Sequence, residues 1–350
     1  MPAFHIGDKI VGDDKVFIIA ELSANHGHDL SVAVESIKAI KETGADAVKL
    51  QTYTPDTITI NCNNEYFQIK HGTIWDGKTL HDLYKEAFTP WEWHAELKKL
   101  AEGLGLVFFS SPFDRTAVDF LEALQVPAYK IASFEITDIG LIEYVASKQK
   151  PVIISTGIAT PEEITDAIDA CERVNNRQIA LLKCTSAYPA PYEEINLRMI
   201  PDLMKRYQTV VGLSDHTNGI AIPVASVALG CKIIEKHFIL DRKIGGPDAS
   251  FSLEPVEFKN MVESVRAVES ALGDVDYGLS ALSKKSRVFA RSLFVVKNIG
   301  KGEEFSESNI RSIRPGNGLP PKYLASIIGK RANKDIIEGT PLSWELIQKD

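Results

Sequence analysis

Residues 151–186 read PVIISTGIATPEEITDAIDACERVNNRQIALLKCTS, and their pattern decides the fold. Two short apolar, β-branched runs, PVIISTG (151–157) and IALLKCTS (179–186), flank the amphipathic stretch TPEEITDAIDACERV (160–174). Near-continuous apolarity over about 4–8 residues marks a parallel strand buried on both faces. The middle stretch opens with a capping box: Thr160 at N-cap, Pro161 at N1 and Glu163 at N3. Strand, helix and strand in this order form the crossover unit of a parallel sheet.

The unit recurs. VFIIAEL (16–22), AVKLQTY (47–53), LVFFSSP (106–112), AYKIASF (128–134), VVGLSDH (210–216) and KIIEKHF (232–238) bring the apolar runs to eight. SVAVESIKAIKETG (31–44) sets Val34, Ile37, Ala39 and Ile40 near one side and stops at Gly44. TPWEWHAELKKLAEGLG (89–105) is expected to repeat the capping device with Thr89, Pro90 and Glu92. Eight strand–helix units imply an α/β fold, a (β/α)8 TIM barrel. A doubly wound open sheet is the alternative, but no G-x-G-x-x-G turn follows the first strand. The alternation ends near Ala271, which sets a barrel domain at 1–272. GDVDYGLSALSKKSR (273–287) reads as a polar linker. Short strands, Gly turns and Pro-rich corners then make a small second domain of 288–350. The segment 54–89 is too long for a simple loop and carries Tyr66, Phe67, Trp75 and Tyr84. It is either a functional insert at one barrel face or a solvated excursion.

With 350 residues, 44% apolar and 25% charged, the chain has the balance of a folded protein of about two domains. A net charge of −8 gives no basic field to attract nucleic acid. Cys62, Cys171, Cys184 and Cys231 are far apart with no C-x-x-C, which argues against a zinc ribbon, a redox pair or a disulfide framework. MPAFHIGDKIVGDDK carries charges where a signal peptide needs an apolar run, and no stretch reaches the roughly 18 apolar residues of a membrane span. A cytoplasmic protein with neither nucleic acid nor membrane as partner is expected.

In a barrel, catalytic groups belong at the C-terminal ends of the strands. Here strand after strand closes on polar residues: Glu21/Ser23/Asn25, Lys49/Gln51, Ser110/Ser111, Lys130/Ser133, Ser155/Thr156, Thr185/Ser186/Tyr188, Ser214/His216 and Glu235/His237. Period-two alternation puts Lys49 with Gln51, Ser214 with His216, and Glu235 with His237 on shared faces. His216 and His237 end consecutive strands, flanked by Asp215 and Glu235, and suit a divalent metal; imidazole tolerates zinc, iron or manganese. Lys49 and Lys130 sit in apolar runs and must find an anion or bear a desolvation cost. With Ser111, Ser133, Ser155 and Ser214 nearby, they point to a phosphate or carboxylate pocket; a structural pair of Lys49 with Glu21 is the bland alternative. No Walker loop is present, so a nucleoside triphosphate is not indicated. His5, His71 and His94 read as surface residues without a role.

These residues, in this order, resemble the sialic acid synthase family of nonulosonate synthases. The matching motifs are AELSANHG (20–27), VKLQT (48–52), FFSSPFD (108–114), AYKIAS (128–133), ISTGIAT (154–160), LKCTSAYPAP (182–191), GLSDHT (212–217), IIEKHF (233–238), GGPDASFSLEP (245–255) and RPGNG (314–318). The C-terminal domain resembles the antifreeze-like (SAF, β-clip) domain these synthases carry; no antifreeze activity follows from that name. The resemblance implies condensation of phosphoenolpyruvate with an acetamido sugar, with C–O cleavage and release of phosphate. It implies Mn²⁺, with Mg²⁺ or Co²⁺ as substitutes, on His216 and His237. It implies phosphoenolpyruvate contacts from Lys49, Ser111, Lys130, Ser133, Ser155, Ser186, Tyr188 and Ser214. Sugar contacts would come from Glu21, Gln51, Asp248 and Arg314, the last reaching the partner barrel of a homodimer capped by the SAF domain. Glu21 or Glu235 would position water or move a proton.

Within the family, KLQTYTPDTITI (49–60), IWDGKTLHDLYKEAFTPWEW (74–93) and GGPDASFSLEP resemble the branch whose sugar is 2,4-diacetamido-2,4,6-trideoxy-L-altrose. Ser186 stands where the N-acetylneuraminate branch has Asn. The less polar end of the trideoxy sugar would suit Phe251 and Leu253 beside Asp248, and its product would go to flagellin or a surface glycan. Three alternatives stay open: the same chemistry on another acetamido sugar (the legionaminate and N-acetylneuraminate branches), a metal-dependent aldolase, and a non-enzymatic sugar-binding protein.

Overall fold

Each apolar run becomes a strand, and the eight close on themselves. In the computed structural model, which describes residues 3–70, 72 and 74–349, the strands are β1 Phe17–Glu21, β2 Ala47–Thr52, β3 Val107–Pro112, β4 Tyr129–Ile131, β5 Val152–Ser155, β6 Ile179–Cys184, β7 Val210–Asp215 and β8 Ile233–His237. All neighbours are parallel, and β8 pairs with β1 to close the barrel. The register fixes the chemistry in rows. His237 lies beside Glu21, and Glu21 beside Lys49. Gln51 lies beside Ser111, and Ser214 beside both Glu235 and Cys184.

The outer layer has one principal helix per strand. These are α1 Leu30–Thr43, α2 His94–Gly103, α3 Arg115–Ala123, α4 Ile139–Ala146, α5 Pro161–Arg173, α6 Met199–Tyr207, α7 Ala221–Val227 and α8 Pro255–Leu272. In α1, Ile37 and Ile40 are fully buried, and the helix ends at Gly44 in the left-handed region. In α5 the capping box forms as its sequence demands: Thr160 Oγ1 accepts from the Glu163 amide, and a Glu163 carboxylate oxygen accepts from the Thr160 amide. A hairpin, Phe4–Ile6 with Lys9–Val11, precedes the barrel and buries Ile6 and Val11 completely. Burying each such side chain stabilises the fold by about 1.5–3 kcal/mol.

Two expectations fail in the α2 region. Thr89 does not cap α2, which begins at His94 after a 3₁₀ turn, Trp91–Trp93. The Thr89 hydroxyl is instead held by His26 Nε2 at 3.0 Å. His94 is not a surface residue but fully buried, with Nε2 2.8 Å from Thr52 Oγ1 and Nδ1 3.3 Å from Pro90 O. A helix-start histidine looks solvated in sequence; here its ring fills the seam between α2 and β2. His71 lies outside the described residues, and His5 is exposed.

The chain divides into two compact units, 1–273 and 274–350. The second has its own core, including Leu293, Val295, Phe305, Ile310 and Ile327, and an antiparallel pair, Ser292–Val295 with Ile310–Ile313. The stretch read as a polar linker is not extended throughout, since Ala281–Ser286 is helical. Among the described residues no helix is long and apolar enough to cross a membrane.

Candidate active site

The C-terminal ends of the strands carry a buried ionic cluster. Lys49 on β2 pairs with Glu21 on β1, and its Nζ is 3.7 Å from Glu235 Oε2 and donates to Ser111 Oγ at 3.3 Å. Lys130 on β4 donates to Ser155 Oγ at 2.7 Å and lies 3.8 Å from Glu235 Oε1. Ser214 donates to that same carboxylate at 2.9 Å. Gln51 Nε2 donates to Glu21 Oε1 at 3.3 Å. The bland Lys49–Glu21 pair therefore exists, but inside a cluster that also gathers a second lysine and three serines. Both lysines are at most 3% exposed, so strand alternation has placed two cations where water does not reach them.

Burial and charge set their protonation. Burial pushes the Glu21 carboxyl up, to about 7, with Lys49 pulling against it. Glu235 feels the same burial, but Lys130, Lys49 and the Ser214 hydroxyl outweigh it and hold the carboxyl below its ordinary value. Burial lowers Lys130 against the pull of Glu235. Lys49 ends above its ordinary value because Glu21 and Glu235 overcome its desolvation. Near neutral pH Lys49 therefore stays protonated, while Glu21 lies close to its own titration.

Beside the cluster, Ser186 donates to Ser133 at 2.8 Å. The backbone of Gly157 passes so close that a Cβ there would lie 2.3 Å from Ser186 Oγ and 2.6 Å from Ser133 Oγ. Tyr188 lies with its ring centroid 4.5 Å from that of His216.

His216 and His237 end β7 and β8 with centroids 5.3 Å apart. His216 Nδ1 faces Thr185 O at 3.1 Å, which leaves Nε2 for another partner. His237 Nδ1 is buried without a hydrogen bond among the described residues, 3.6 Å from Asp248 Oδ2. Burial, then His216 and the nearby lysines, hold His237 well below its ordinary value, so its ring is neutral with a free lone pair. Among the described residues no three His, Cys, Asp or Glu side chains are gathered to hold a metal by themselves. An orphaned neutral imidazole beside a second one nonetheless suits a divalent ion that takes its remaining ligands from water or substrate.

Several expected neighbours point elsewhere. Asp215 does not flank the histidines: it faces the other side of β7 and pairs at 2.5 Å with Lys236, both side chains fully buried. The reason is period-two alternation, which also turns Ser110 outward to Thr52 while Ser111 turns in. Phe251 and Leu253 are buried and outside the lining of the cleft beside the insert 54–89, although Phe251 stays at the site, packed edge-on against His237 and 5.3 Å from the Tyr188 ring. Asn25 is a strut, donating to Phe238 O and Ser252 Oγ at 2.8 Å, while Ser252 holds Asp248 O at 2.6 Å. Arg314 lies in the second unit, exposed, just after the strand Ile310–Ile313. Gly316 and Gly318 in its turn are needed for close approach rather than for positive φ: a Cβ on Gly318 would sit 2.2 Å from Leu293 O.

Sequence reasoning missed Cys184 and Glu135. Cys184 Sγ is 4.0 Å from His216 Nδ1, and its place in an apolar run disguised it as core. Glu135 ends a 3₁₀ turn after β4; burial raises it to about 7 against Lys130, and among the described residues its Oε2 has no hydrogen-bond partner. The insert 54–89 is not a solvated excursion. With Gln51, Glu135, Tyr188, His237 and Asp248 it lines a cleft of about 450 Å³.

Known proteins resemble this chain over most of its length. A family model described as NeuB family matches residues 36–277, and a SAF domain model matches 290–348. Pseudaminic acid synthase of Campylobacter jejuni subsp. jejuni (strain 81-176) is 50% identical over 330 residues, 94% of this chain and 96% of the relative. That of Helicobacter pylori (strain 26695) is 50% identical over 333 residues, 95% and 98% of the two chains. The crystal structure of an N-acetylneuraminic acid synthetase from Leptospira borgpetersenii, in complex with citrate, superposes with a TM-score of 0.73 at 31% identity. It covers 81% of this chain and 95% of its own.

Proposed function

Because the chain belongs to the NeuB family and carries a SAF domain, we propose that it is a pseudaminic acid synthase. It is a transferase that condenses phosphoenolpyruvate with 2,4-diacetamido-2,4,6-trideoxy-L-altrose and water to give pseudaminic acid and phosphate. The observation that carries this reading is the pair of buried lysines with serine hydroxyls at the strand ends, beside two neighbouring buried imidazoles. Such a site brings two buried ammonium groups and several hydroxyl donors to orient a small anion, with Glu235 offsetting part of their charge. The half-identity of whole-length relatives favours this sugar over the other acetamido sugars.

In this reading Lys49 and Lys130 hold the phosphate and carboxylate of phosphoenolpyruvate, with Ser111, Ser133, Ser155, Ser186, Tyr188 and Ser214 as further contacts. Gln51 and Asp248 orient the open-chain sugar so that the enol carbon meets the aldehyde carbon. A new C–C bond forms as the enol π electrons attack the aldehyde carbon, whose oxygen takes up a proton. Water adds at the resulting cationic C2 with loss of a proton, and phosphate departs with its C–O bond electrons as the C2 hydroxyl gives up its proton to become the keto group. The lysines stabilise the charge that gathers on the departing phosphate. Glu235, ionised between the lysines, is the fixed negative charge of the cluster. Glu21, whose carboxyl is raised to about 7, holds and moves the proton lost by the water. A divalent ion on His216 and His237, Mn²⁺ in our reading, would supply Lewis-acid polarisation of the sugar aldehyde. Arg314 supplies a guanidinium to the site of a second copy in a homodimer. The exposed apolar side chains at 275–289, Tyr277 at 98% and Val275 at 90%, support such an assembly, since they need cover.

The test is to incubate the purified protein with phosphoenolpyruvate and each candidate sugar, then measure phosphate release and product mass. One phosphate per nonulosonate with the trideoxy sugar is expected. A chelator should abolish turnover and Mn²⁺ restore it. A product formed without phosphate release would reject the reading in favour of an aldolase, and sugar binding without turnover would favour a binding protein.

A further inference from the structure

We propose that the insert 54–89 is the specificity element of this enzyme: its apolar cleft receives the deoxygenated end of the sugar and rejects a sugar that carries a hydroxyl there. The inference rests on the synthase reading above and adds to it the residues that choose the sugar.

The cleft, about 450 Å³, opens beside Gln51, His237 and Asp248, so it is continuous with the site of reaction. That volume lies in the range of small-molecule sites, roughly 300–1,000 Å³. Away from the polar groups its walls include Ile58, Ile69, Leu83 and Tyr84 from the insert. These are not loosely placed. Ile69 and Leu83 are buried, and the Tyr84 ring packs edge-on against Tyr53 at 5.7 Å. Trp75 ties the insert to the site at two points. Its indole N–H donates to Pro247 O at 3.1 Å, next to Asp248, and its ring lies 5.4 Å from Tyr188. The insert is therefore a wall of the site, with Glu135 Oε2 as a polar handle within the cleft.

The physical chemistry of such a wall favours one kind of sugar. A methyl or acetamido methyl buried there leaves water at a gain. A hydroxyl placed against Ile58, Ile69 and Leu83, away from Glu135, gives up its water and finds no partner in those side chains. The expected discrimination is modest, because an apolar pocket rejects an added hydroxyl by only about 10²-fold.

The experiment compares kcat/KM for the trideoxy sugar and for N-acetylmannosamine, which keeps its hydroxyls, in the wild type, Ile58→Asn and Leu83→Asn. The wild type should prefer the trideoxy sugar by about 10²-fold. Each variant should lose about tenfold or more on the trideoxy sugar, with N-acetylmannosamine unchanged or improved and the KM for phosphoenolpyruvate unmoved. A wild type indifferent between the sugars overturns the proposal. So does an unchanged preference in a variant that melts as the wild type does. Leu83 is buried, so if Leu83→Asn fails to fold, Ile58→Asn at its half-exposed position decides alone. A wild type that condenses neither sugar with phosphoenolpyruvate removes the synthase reading and this one with it. Turnover with an unaltered preference removes only this one.

Discussion

Lys130 is 2% exposed, and its ammonium is shared among Ser155 Oγ, Ile131 O and Glu235. Truncating a buried, hydrogen-bonded charge partner costs about 2–5 kcal/mol. Lys130→Ala should weaken phosphoenolpyruvate binding by that amount, roughly 30-fold to several thousandfold, with sugar affinity far less affected; titration calorimetry with each substrate checks it. Equal losses for both would make Lys130 a structural lysine. Gly157 offers a subtler test. A Cβ there meets two serine oxygens inside 2.6 Å, so Gly157→Ala must push apart the Ser133–Ser186 pair. Overpacking of this kind costs about 1–3 kcal/mol. A lower urea midpoint and a raised KM for phosphoenolpyruvate are expected, while an unchanged KM would separate that serine pair from the substrate. At this scale the sequence was most legible where a residue violated its surroundings. Lys49 and Lys130 stood out as cations in apolar runs. Cys184 did not, because a thiol in an apolar run looks like core, and Glu135 did not, because a charged residue after a strand looks solvated. Lys236 and Asp215 stood on the wrong face, and only the strand's alternation tells them from their neighbours.

Helix starts show why local signals misplace boundaries. The same Thr-Pro-x-Glu pattern caps α5 at Thr160 and fails to cap α2 at Thr89, because His26 takes the Thr89 hydroxyl. A tertiary hydrogen bond overrode a local one, and no reading of residues 89–92 alone reveals it. The buried histidines of this seam carry a pH signature. Burial lowers His94 to about 4, although the carbonyls of Pro90 and Trp91 pull upward, and burial followed by His28 lowers His26 to about 4. The unfolded chain takes up these protons below about 6.5, the folded one only below about 4. Their contribution to stability is therefore complete above pH 6.5 and is lost as the pH falls toward 4, by up to about 3 kcal/mol each. Glu21 and Glu135, raised to about 7, act in the opposite sense between pH 7 and 4.5, so the total curve is not diagnostic. The difference between wild type and His94→Gln is. The variant should be less stable at pH 7.5, having lost the imidazole's fit to Thr52 and Pro90, and the gap in urea midpoint should narrow from pH 6.5 to pH 4.5. A gap independent of pH would mean that His94 takes up its proton at the same pH in the folded and unfolded chain.

For the whole molecule, the barrel was legible because eight strands repeat one pattern, and repetition averages out local error. The insert's place on the cleft was not: Leu80, Leu83, Tyr84 and Ala87 keep a helical period within it, but a period shows an apolar face and not what that face meets. The second unit poses the question of assembly. Its first fifteen residues or so leave Tyr277, Leu282 and Phe289 exposed, at 98%, 76% and 67%. The helix Ala281–Ser286 advances about 1.5 Å per residue instead of the roughly 3.3–3.6 Å of extended chain. The segment thus reaches less far than an extended one but presents a firmer apolar surface. If a second copy covers that surface and receives Arg314, an Arg314→Ala chain and a His237→Ala chain should each be nearly inactive alone. Arginine's planar fork of donors matches acetamido and hydroxyl oxygens, which alanine cannot replace. Mixed and allowed to exchange subunits, the two variants should regain activity, because one of the two composite sites in a heterodimer keeps both groups. Rates measured against the heterodimer fraction, read by native mass spectrometry, check this. Inactive samples that contain heterodimers would confine Arg314 to its own chain or leave it outside the reaction.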